Sequence, residues 1–358
     1  MKTISLFSGC GGLDFGASKA GANIVLSNDI DANSSATYRK YFPDVEHFTG
    51  DIRLVKSFPE ADLVVGGYPC QSFSMGGNRN PKNDPRSYLF KEYARCLSIV
   101  NPLFFLAENV SGLVKVEQGS FLQQQMSLFE SCGKYGYRVR FQLIDAKEYG
   151  IPQSRKRLFL VGIRKDLGLD FVFPKKTHSN KDKTLKPFES HGEVIKHLPL
   201  WPNGEFYERP HDENGHMSWY YMSRNRKARW DDPSFTVVAN WRHITLHPAS
   251  PVMKLTWSDL KNGWKQRWDF SDEYEHILAN KDRACLEVPR RLSWRECALI
   301  QTFPLGFEPE GNVQSMFEQI GNAVPPKLSE VLLRELISER GLVESRCKED
   351  LACHGMSN

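Results

Sequence analysis

The chain has 358 residues, 40% of them hydrophobic, with 47 Lys and Arg against 43 Asp and Glu. It can bury a sizeable core, its length predicts two domains, and the net charge of +4 is too small to identify a nucleic-acid partner by itself. The eight cysteines (Cys10, Cys70, Cys96, Cys132, Cys285, Cys297, Cys347 and Cys353) form no C-x-x-C pair and no histidine clusters near them, so neither a zinc site nor a disulfide framework is indicated. No signal peptide or membrane-length apolar run is visible, and a soluble cytoplasmic protein without metal is expected.

Thr3-Ile4-Ser5-Leu6-Phe7 is a β-rich run that ends in Ser8-Gly9-Cys10-Gly11-Gly12, and a helix-like segment follows through Ala20. Strand, glycine-rich turn and helix form the opening unit of a nucleotide-binding α/β fold, the glycines letting a ligand approach the backbone. A second strand, Ile24 to Ser27, ends in Asn28-Asp29-Ile30, which puts Asp29 where such folds place an acid for ribose hydroxyls. A third element ends in Gly50-Asp51-Ile52. The G-x-G-x-x-G spacing fails because Asp14 occupies the last glycine position. A pyrophosphate is therefore disfavoured, and an adenosine ligand without phosphates fits.

Leu63-Val64-Val65 reads as a buried strand that breaks at Gly66-Gly67-Tyr68-Pro69, presenting Cys70 at its carboxyl end. Gln71 to Arg86 is polar and dotted with glycines, and a helix is predicted from Asp84-Pro85 through Ile99. Another buried strand, Leu103 to Ala107, ends in Glu108-Asn109-Val110, aiming a carboxylate into the same crevice as Cys70. Tyr137 to Ile144 and Leu158 to Ile163 read as hairpin partners, and between them Arg155 and Arg157 project on one face of an extended segment. They could bind phosphate or form a solvated edge; the spacing leaves both open.

Near Pro174 the character changes. Lys175 to Lys186 is lysine-rich, and from about Asp170 to Glu287 periodicity is weak while Trp, Tyr, Arg, His and Pro interleave. Ser223-Arg224-Asn225-Arg226-Lys227-Ala228-Arg229-Trp230 and Asn240-Trp241-Arg242-His243 suit contact with base edges and phosphates. Regular structure resumes at Leu292, where Ser293 and Glu296 are spaced as a capping box, and a final amphipathic helix covers Leu328 to Ile337.

Taken together these pieces resemble the cytosine-5 DNA methyltransferase family. The matches are the Phe7-to-Gly12 turn, Asn28-Asp29, Gly50-Asp51-Ile52, Pro69-Cys70-Gln71, Glu108-Asn109-Val110, Gln153 with Arg155 and Arg157, Arg291 to Glu296, and Gly321-Asn322. Eight weak motifs in the family's order are together very specific. The resemblance implies a doubly wound, Rossmann-like S-adenosylmethionine-dependent methyltransferase domain with a small irregular target-recognition domain. The expected boundaries are 1–170 for the catalytic domain, 171–288 for recognition, 289–338 for the returning segment and 339–358 for a tail. Two departures are visible. Asp29 replaces the glutamate common at the ribose position, and Ile30 stands where an aromatic is common.

By the same resemblance Cys70 is the thiolate that adds to cytosine carbon 6, and Glu108 holds and protonates N3. Asn109 holds the strand end, and Arg155 or Arg157 lowers the thiol's pKa. S-Adenosyl-L-methionine is the expected donor, with Phe7, Gly9, Gly11, Gly12, Asp29, Ile30, Asp51, Ile52, Pro69, Leu89 and Asn322 around it. The target base must leave the duplex, with the Gln71-to-Arg86 loop closing over it on Gly76 and Gly77, and Gln71, Arg79 and Arg86 on DNA. Arg224, Arg226, Arg229 and Arg242 are candidates for guanine contact, because the Ser223-to-Arg226 stretch is similar to members that methylate GGCC-like palindromes. Double-stranded DNA is the expected substrate of a monomeric bacterial restriction–modification enzyme with a companion endonuclease. A tRNA methyltransferase and a catalytically silent DNA-binding relative are the alternatives, and the intact Cys70 and Glu108 weigh against the second.

Overall fold

The computed structural model describes residues 1–69, 88–206, 217–218, 220–260, 263–274 and 284–339. Cys70, Gln71, Arg79 and Arg86, the hinge glycines Gly76 and Gly77, and the tail from residue 340 lie outside the described residues. The chain divides into two compact units. One comprises Met1–Asp145, Lys156–Lys175 and Val324–Asn358, the other Ala146–Arg155 and Lys176–Ala323.

The first unit is built on a seven-stranded sheet: β1 (Lys2–Leu6), β2 (Asn23–Asp29), β3 (Glu46–Thr49), β4 (Leu63–Gly66), β5 (Phe104–Val110), β6 (Tyr137–Asp145) and β7 (Lys156–Arg164). Their order is β3-β2-β1-β4-β5-β7-β6. The first five strands pair in parallel, and β7 runs antiparallel to both β5 and β6. β4 and the first half of β5 are continuous apolar runs because they are buried on both faces. The chain winds outward from β1 through β2 to β3, then returns to place β4 on the other side of β1. That reversal makes the carboxyl ends of β1 and β4 a topological switch point, where open α/β sheets hold ligands.

Helices α1 (Gly12–Lys19), α2 (Ala32–Tyr41), α3 (Phe90–Val100) and α4 (Ser120–Ser131) connect these strands. Asp31 caps α2 by accepting from Ser34 N at 2.7 Å. Tyr93 on α3 donates its hydroxyl within 3.0 Å of both Val64 O and Leu106 O, tying β4 to β5 from inside the core. Phe105 packs edge-on to Phe129 and Tyr137, with centroids 5.4 and 5.2 Å away.

In the second unit, α5 (His191–Ile195), α6 (Trp294–Ile300) and α7 (Val313–Asn322) accompany a hairpin of β8 (Met253–Leu260) and β9 (Gly263–Phe270). Ser293 and Glu296 form the expected capping box on α6. Glu296 is also gripped by Arg290 through two bonds of 2.8 Å. Irregular chain elsewhere is held by side chains that satisfy backbone groups. Gln153 accepts from Val237 N (2.8 Å) and donates to Gln301, which itself donates to Ile320 O (2.7 Å). The returning helix α8 (residues 326–339) belongs to the first unit and lies against α1. A Cβ at Gly16 would overlap Ser329 Oγ and the Pro326 carbonyl.

Candidate active site

The turn after β1 is forced into an uncommon conformation. Phe7, Gly9 and Gly11 have φ of 55°, 54° and 88°. Positive φ at an aromatic residue is strained and persists only where surrounding bonds impose it. Those bonds are Ser8 N to Asn28 O (2.9 Å) and Gly11 N to Ser8 O (3.0 Å). The glycines differ in purpose. A Cβ at Gly11 would press into the Phe42 ring, whereas a Cβ at Gly9 would meet nothing within 4 Å. Gly9 therefore leaves open room beside its backbone; Gly12, buried, opens α1.

Asp29 ends β2 with both carboxylate oxygens oriented: Gly9 N donates to Oδ2 at 2.7 Å and Asp31 N to Oδ1 at 2.9 Å. Burial pushes its pKa up against those two donors. Asn28 donates to Phe48 O (3.0 Å) and Gly50 O (2.9 Å), locking the end of β2 to the turn that carries Asp51. The carboxylate of Asp51 accepts from the Arg53 guanidinium, 2.5 Å at the closest approach, which holds its pKa below the usual range. Ile52 is only 3% exposed and belongs to the core, while Ile30 is 70% exposed beside Asp29. Leu89 packs partly buried against the same core at the start of α3. Pro69 is the last residue described before Cys70, and α3 begins at Phe90.

At the end of β5, Glu108 and Arg157 pair, Oε1 to Nε, at 3.0 Å. The antiparallel register that sets Val110 opposite Arg157 brings them together. Burial lowers the Arg157 pKa and Glu108 opposes that change. Glu108 Oε2 lies 3.0 Å from where a Cβ on Gly67 would stand, so the carboxylate covers the stem leading to Cys70. Asn109, buried, donates to Tyr68 O at 3.3 Å, and the Tyr68 hydroxyl donates to Gln125 at 2.6 Å. The residue pair before Pro69 is thus fixed from both sides.

Arg155 and Arg157, expected on one face, have separate surroundings. Arg155 is fully buried in the second unit and donates to Val237 O, Gly321 O and Ala323 O at 2.8–2.9 Å. Asn322 ends α7 in that unit. Of the recognition-region arginines, Arg224, Arg229 and Arg242 are exposed and Arg226 is partly buried. The sequence placed Asn28 beside Asp29 without a role of its own, and its role is the pair of bonds to Phe48 O and Gly50 O. Sequence reasoning missed Tyr221, over whose ring the guanidiniums of Arg226 and Arg291 lie at 4.9 and 4.5 Å; an aromatic three residues before Arg224 was its mark. Among the described residues no cluster of His, Cys, Asp and Glu could hold a metal, and no helix is long and apolar enough to cross a membrane.

A mostly parallel sheet with a glycine turn at the end of β1, an acid at the end of β2 and a carboxylate at the end of β5 defines a Rossmann-like architecture with its ligand crevice at the strand carboxyl ends. Comparison with known proteins is specific. The model of the C-5 cytosine-specific DNA methylase family matches residues 1–338. The Type II methyltransferase M.NgoPII of Neisseria gonorrhoeae is 40% identical over 344 residues, covering 92% of this chain and 93% of the relative. M.MthTI of Methanothermobacter thermautotrophicus is 39% identical over 345 residues, covering 94% and 97%. The crystal structure of the S. pombe Dnmt2 methyltransferase superposes with a TM-score of 0.63 at 17% identity, covering 95% of this chain and 98% of that one, a likeness of fold.

The chain belongs to the C-5 cytosine-specific DNA methylase family. It is an enzyme that methylates cytosine in DNA, and S-adenosyl-L-methionine is its methyl donor. The residues at the carboxyl ends of β1 and β2 fit that cofactor. Gly9 leaves space against its backbone, Asp29 presents an oriented carboxylate, and exposed Ile30 offers an apolar surface next to it. When bound, the cofactor supplies an electrophilic methyl group.

Proposed function

We propose that Cys70 is the nucleophile and Glu108 the acid of this reaction, on a cytosine turned out of duplex DNA. The observation that carries the reading is the Glu108 carboxylate lying over Gly67, three residues before Cys70 on the stem leading from β4. The Cys70 thiolate adds to carbon 6 while Glu108 hydrogen-bonds and protonates N3, which makes carbon 5 nucleophilic. Carbon 5 would take the methyl group that the cofactor supplies; loss of the carbon 5 proton to solvent, return of the N3 proton to Glu108 and elimination of the Cys70 thiolate then release 5-methylcytosine. Arg157 orients Glu108, and Asn109 holds the stem through the Tyr68 carbonyl. Arg155 serves the frame of the second unit through its three carbonyl partners.

Asp29 and the Phe7-to-Gly12 turn take the ribose and amino acid ends of the cofactor. Asp51, Ile52, Pro69 and Leu89 complete its pocket. Residues 171–288 read the target: Arg224, Arg226, Arg229 and Arg242 contact DNA, as do Gln71, Arg79 and Arg86 from the loop after Cys70. The site is a short G+C-rich palindrome. The enzyme acts as a cytoplasmic monomer that protects this site from a companion endonuclease, as expected for a relative of Type II methyltransferases. Bisulfite sequencing of duplex DNA incubated with enzyme and cofactor tests the reading. Conversion resistance confined to one short sequence supports it, and methylation of tRNA in place of duplex DNA overturns it.

A further inference from the structure

Helix α4 carries Phe121, Gln125 and Phe129 at intervals of four, so the three share one face, and all are buried. Phe121 and Phe129 belong to the main core, and an apolar side chain would suit the position between them. Tyr68 lies in the same core, its ring centroid 5.8 Å from Tyr93, 6.4 Å from Phe129 and 6.5 Å from Phe90. Its hydroxyl donates to Gln125 Oε1 at 2.6 Å. A phenylalanine against a leucine would fill this space without burying polar atoms. The polar pair carries a cost, because Gln125 Nε2 is buried and has no hydrogen-bond partner among the described residues. What the bond adds is direction. An apolar contact tolerates sliding, whereas a buried hydrogen bond fixes where the far end of the ring stands.

We infer that Gln125 is a positioning residue for the methyl transfer, holding through the Tyr68 hydroxyl the chain that enters Cys70. This rests on the reading of Cys70 as the nucleophile, and it adds a residue from a helix that carries none of the expected site. Tyr68 is clamped at two points, its hydroxyl by Gln125 and its carbonyl by Asn109 Nδ2. Only Pro69 stands between that clamp and Cys70. A proline ring fixes its own φ and confines the residue before it to extended conformations. Few free torsions therefore separate the anchored ring from the residue that bears the sulfur, and a displacement of Tyr68 is passed on to it. Attack on carbon 6 is sensitive to such shifts, since a misplacement of ~1 Å costs ~100-fold in rate.

Single-turnover formation of the covalent adduct on duplex DNA carrying 5-fluorocytosine tests this, with wild type, Tyr68→Phe, Gln125→Leu and the double variant. Urea unfolding and cofactor titration accompany it. Each single change leaves a buried polar group without its partner and should lower the unfolding midpoint; the double change removes both groups and should restore it. Adduct formation should be ~10–100-fold slower in all three, the double variant included, while cofactor affinity stays at its wild-type value. Tyr68→Phe deletes a single oxygen, and it decides the matter if either Gln125 variant unfolds early. An adduct formed by Tyr68→Phe at the wild-type rate overturns the inference. So does a double variant that recovers rate together with midpoint, the mark of a purely structural bond. A wild type that methylates the duplex yet forms no adduct would sink the nucleophile reading itself, and this inference with it.

Discussion

Arg157 Nε lies 3.0 Å from Glu108 Oε1, with the two side chains 16% and 12% exposed. A carboxylate so placed can turn only within the reach of its guanidinium partner, and that sets the direction of its second oxygen toward Gly67. Replacing Arg157 by Leu leaves Glu108 without that partner and should cost ~3 kcal/mol of stability. Arg157→Lys retains charge and should fold, yet lower kcat ~100-fold with little change in KM for DNA. Steady-state kinetics of the lysine variant check this; a wild-type kcat would detach Arg157 from catalysis.

Asn109 acts at a distance from the reacting atoms. Its bond to the Tyr68 carbonyl steadies the chain two residues before Cys70. Asn109→Ala should destabilise by ~1–3 kcal/mol and reduce kcat more than it raises KM, while cofactor affinity measured by titration stays unchanged. Equal loss of kcat and cofactor affinity would point to a general structural role instead.

Gly16 lets α1 and α8 touch through backbone and Ser329. Gly16→Ala should force them apart and destabilise by ~1–3 kcal/mol, as overpacking does. A melting temperature equal to wild type would mean that the returning helix is not needed to complete the first unit.

Asp14 is buried on α1, accepts from Ser5 Oγ at 2.7 Å, and has its pKa pushed up to about 6 by burial. Because the folded pKa lies above the unfolded value, the protonated form favours folding. Its contribution is complete below pH ~4 and is lost as the pH rises through about 6, a change of ~3 kcal/mol. Asp14→Asn should therefore gain stability relative to wild type between those values. Urea unfolding of both proteins across this range reads the difference, and parallel curves would contradict it.

Much of the first unit was legible because strand period and glycine breaks are local signals. The edges of β1, β2 and β4 fall within two residues of the apolar runs and those of β5 within three, and the β6–β7 hairpin pairs as expected. The capping box at Ser293 was legible for the same reason. The second unit was not, since it is held by long-range bonds. Gln153 to Gln301 and Arg155 to Gly321 join residues far apart in sequence. The β8–β9 hairpin does carry an alternation, Met253, Leu255 and Trp257 against Lys254, Thr256 and Ser258, but it is short and set within a long stretch of weak periodicity. Phe7 looked like ordinary strand, and only the backbone reveals its strained φ. The separation of Arg155 from Arg157 could not be seen, because alternate positions share a face only while the strand continues, and β7 begins at Lys156.

The central claim is that the Cys70 sulfur bonds to carbon 6 of a cytosine across from Glu108. Incubation of the enzyme and S-adenosyl-L-methionine with duplex DNA carrying 5-fluorocytosine at the preferred site measures this directly, because fluorine blocks the step that releases the thiol. A covalent complex that survives denaturing electrophoresis, is lost in Cys70→Ala and maps to Cys70 by mass spectrometry is the predicted result. An active wild type that forms no such complex, or a Cys70→Ala variant that methylates at full rate, would contradict it.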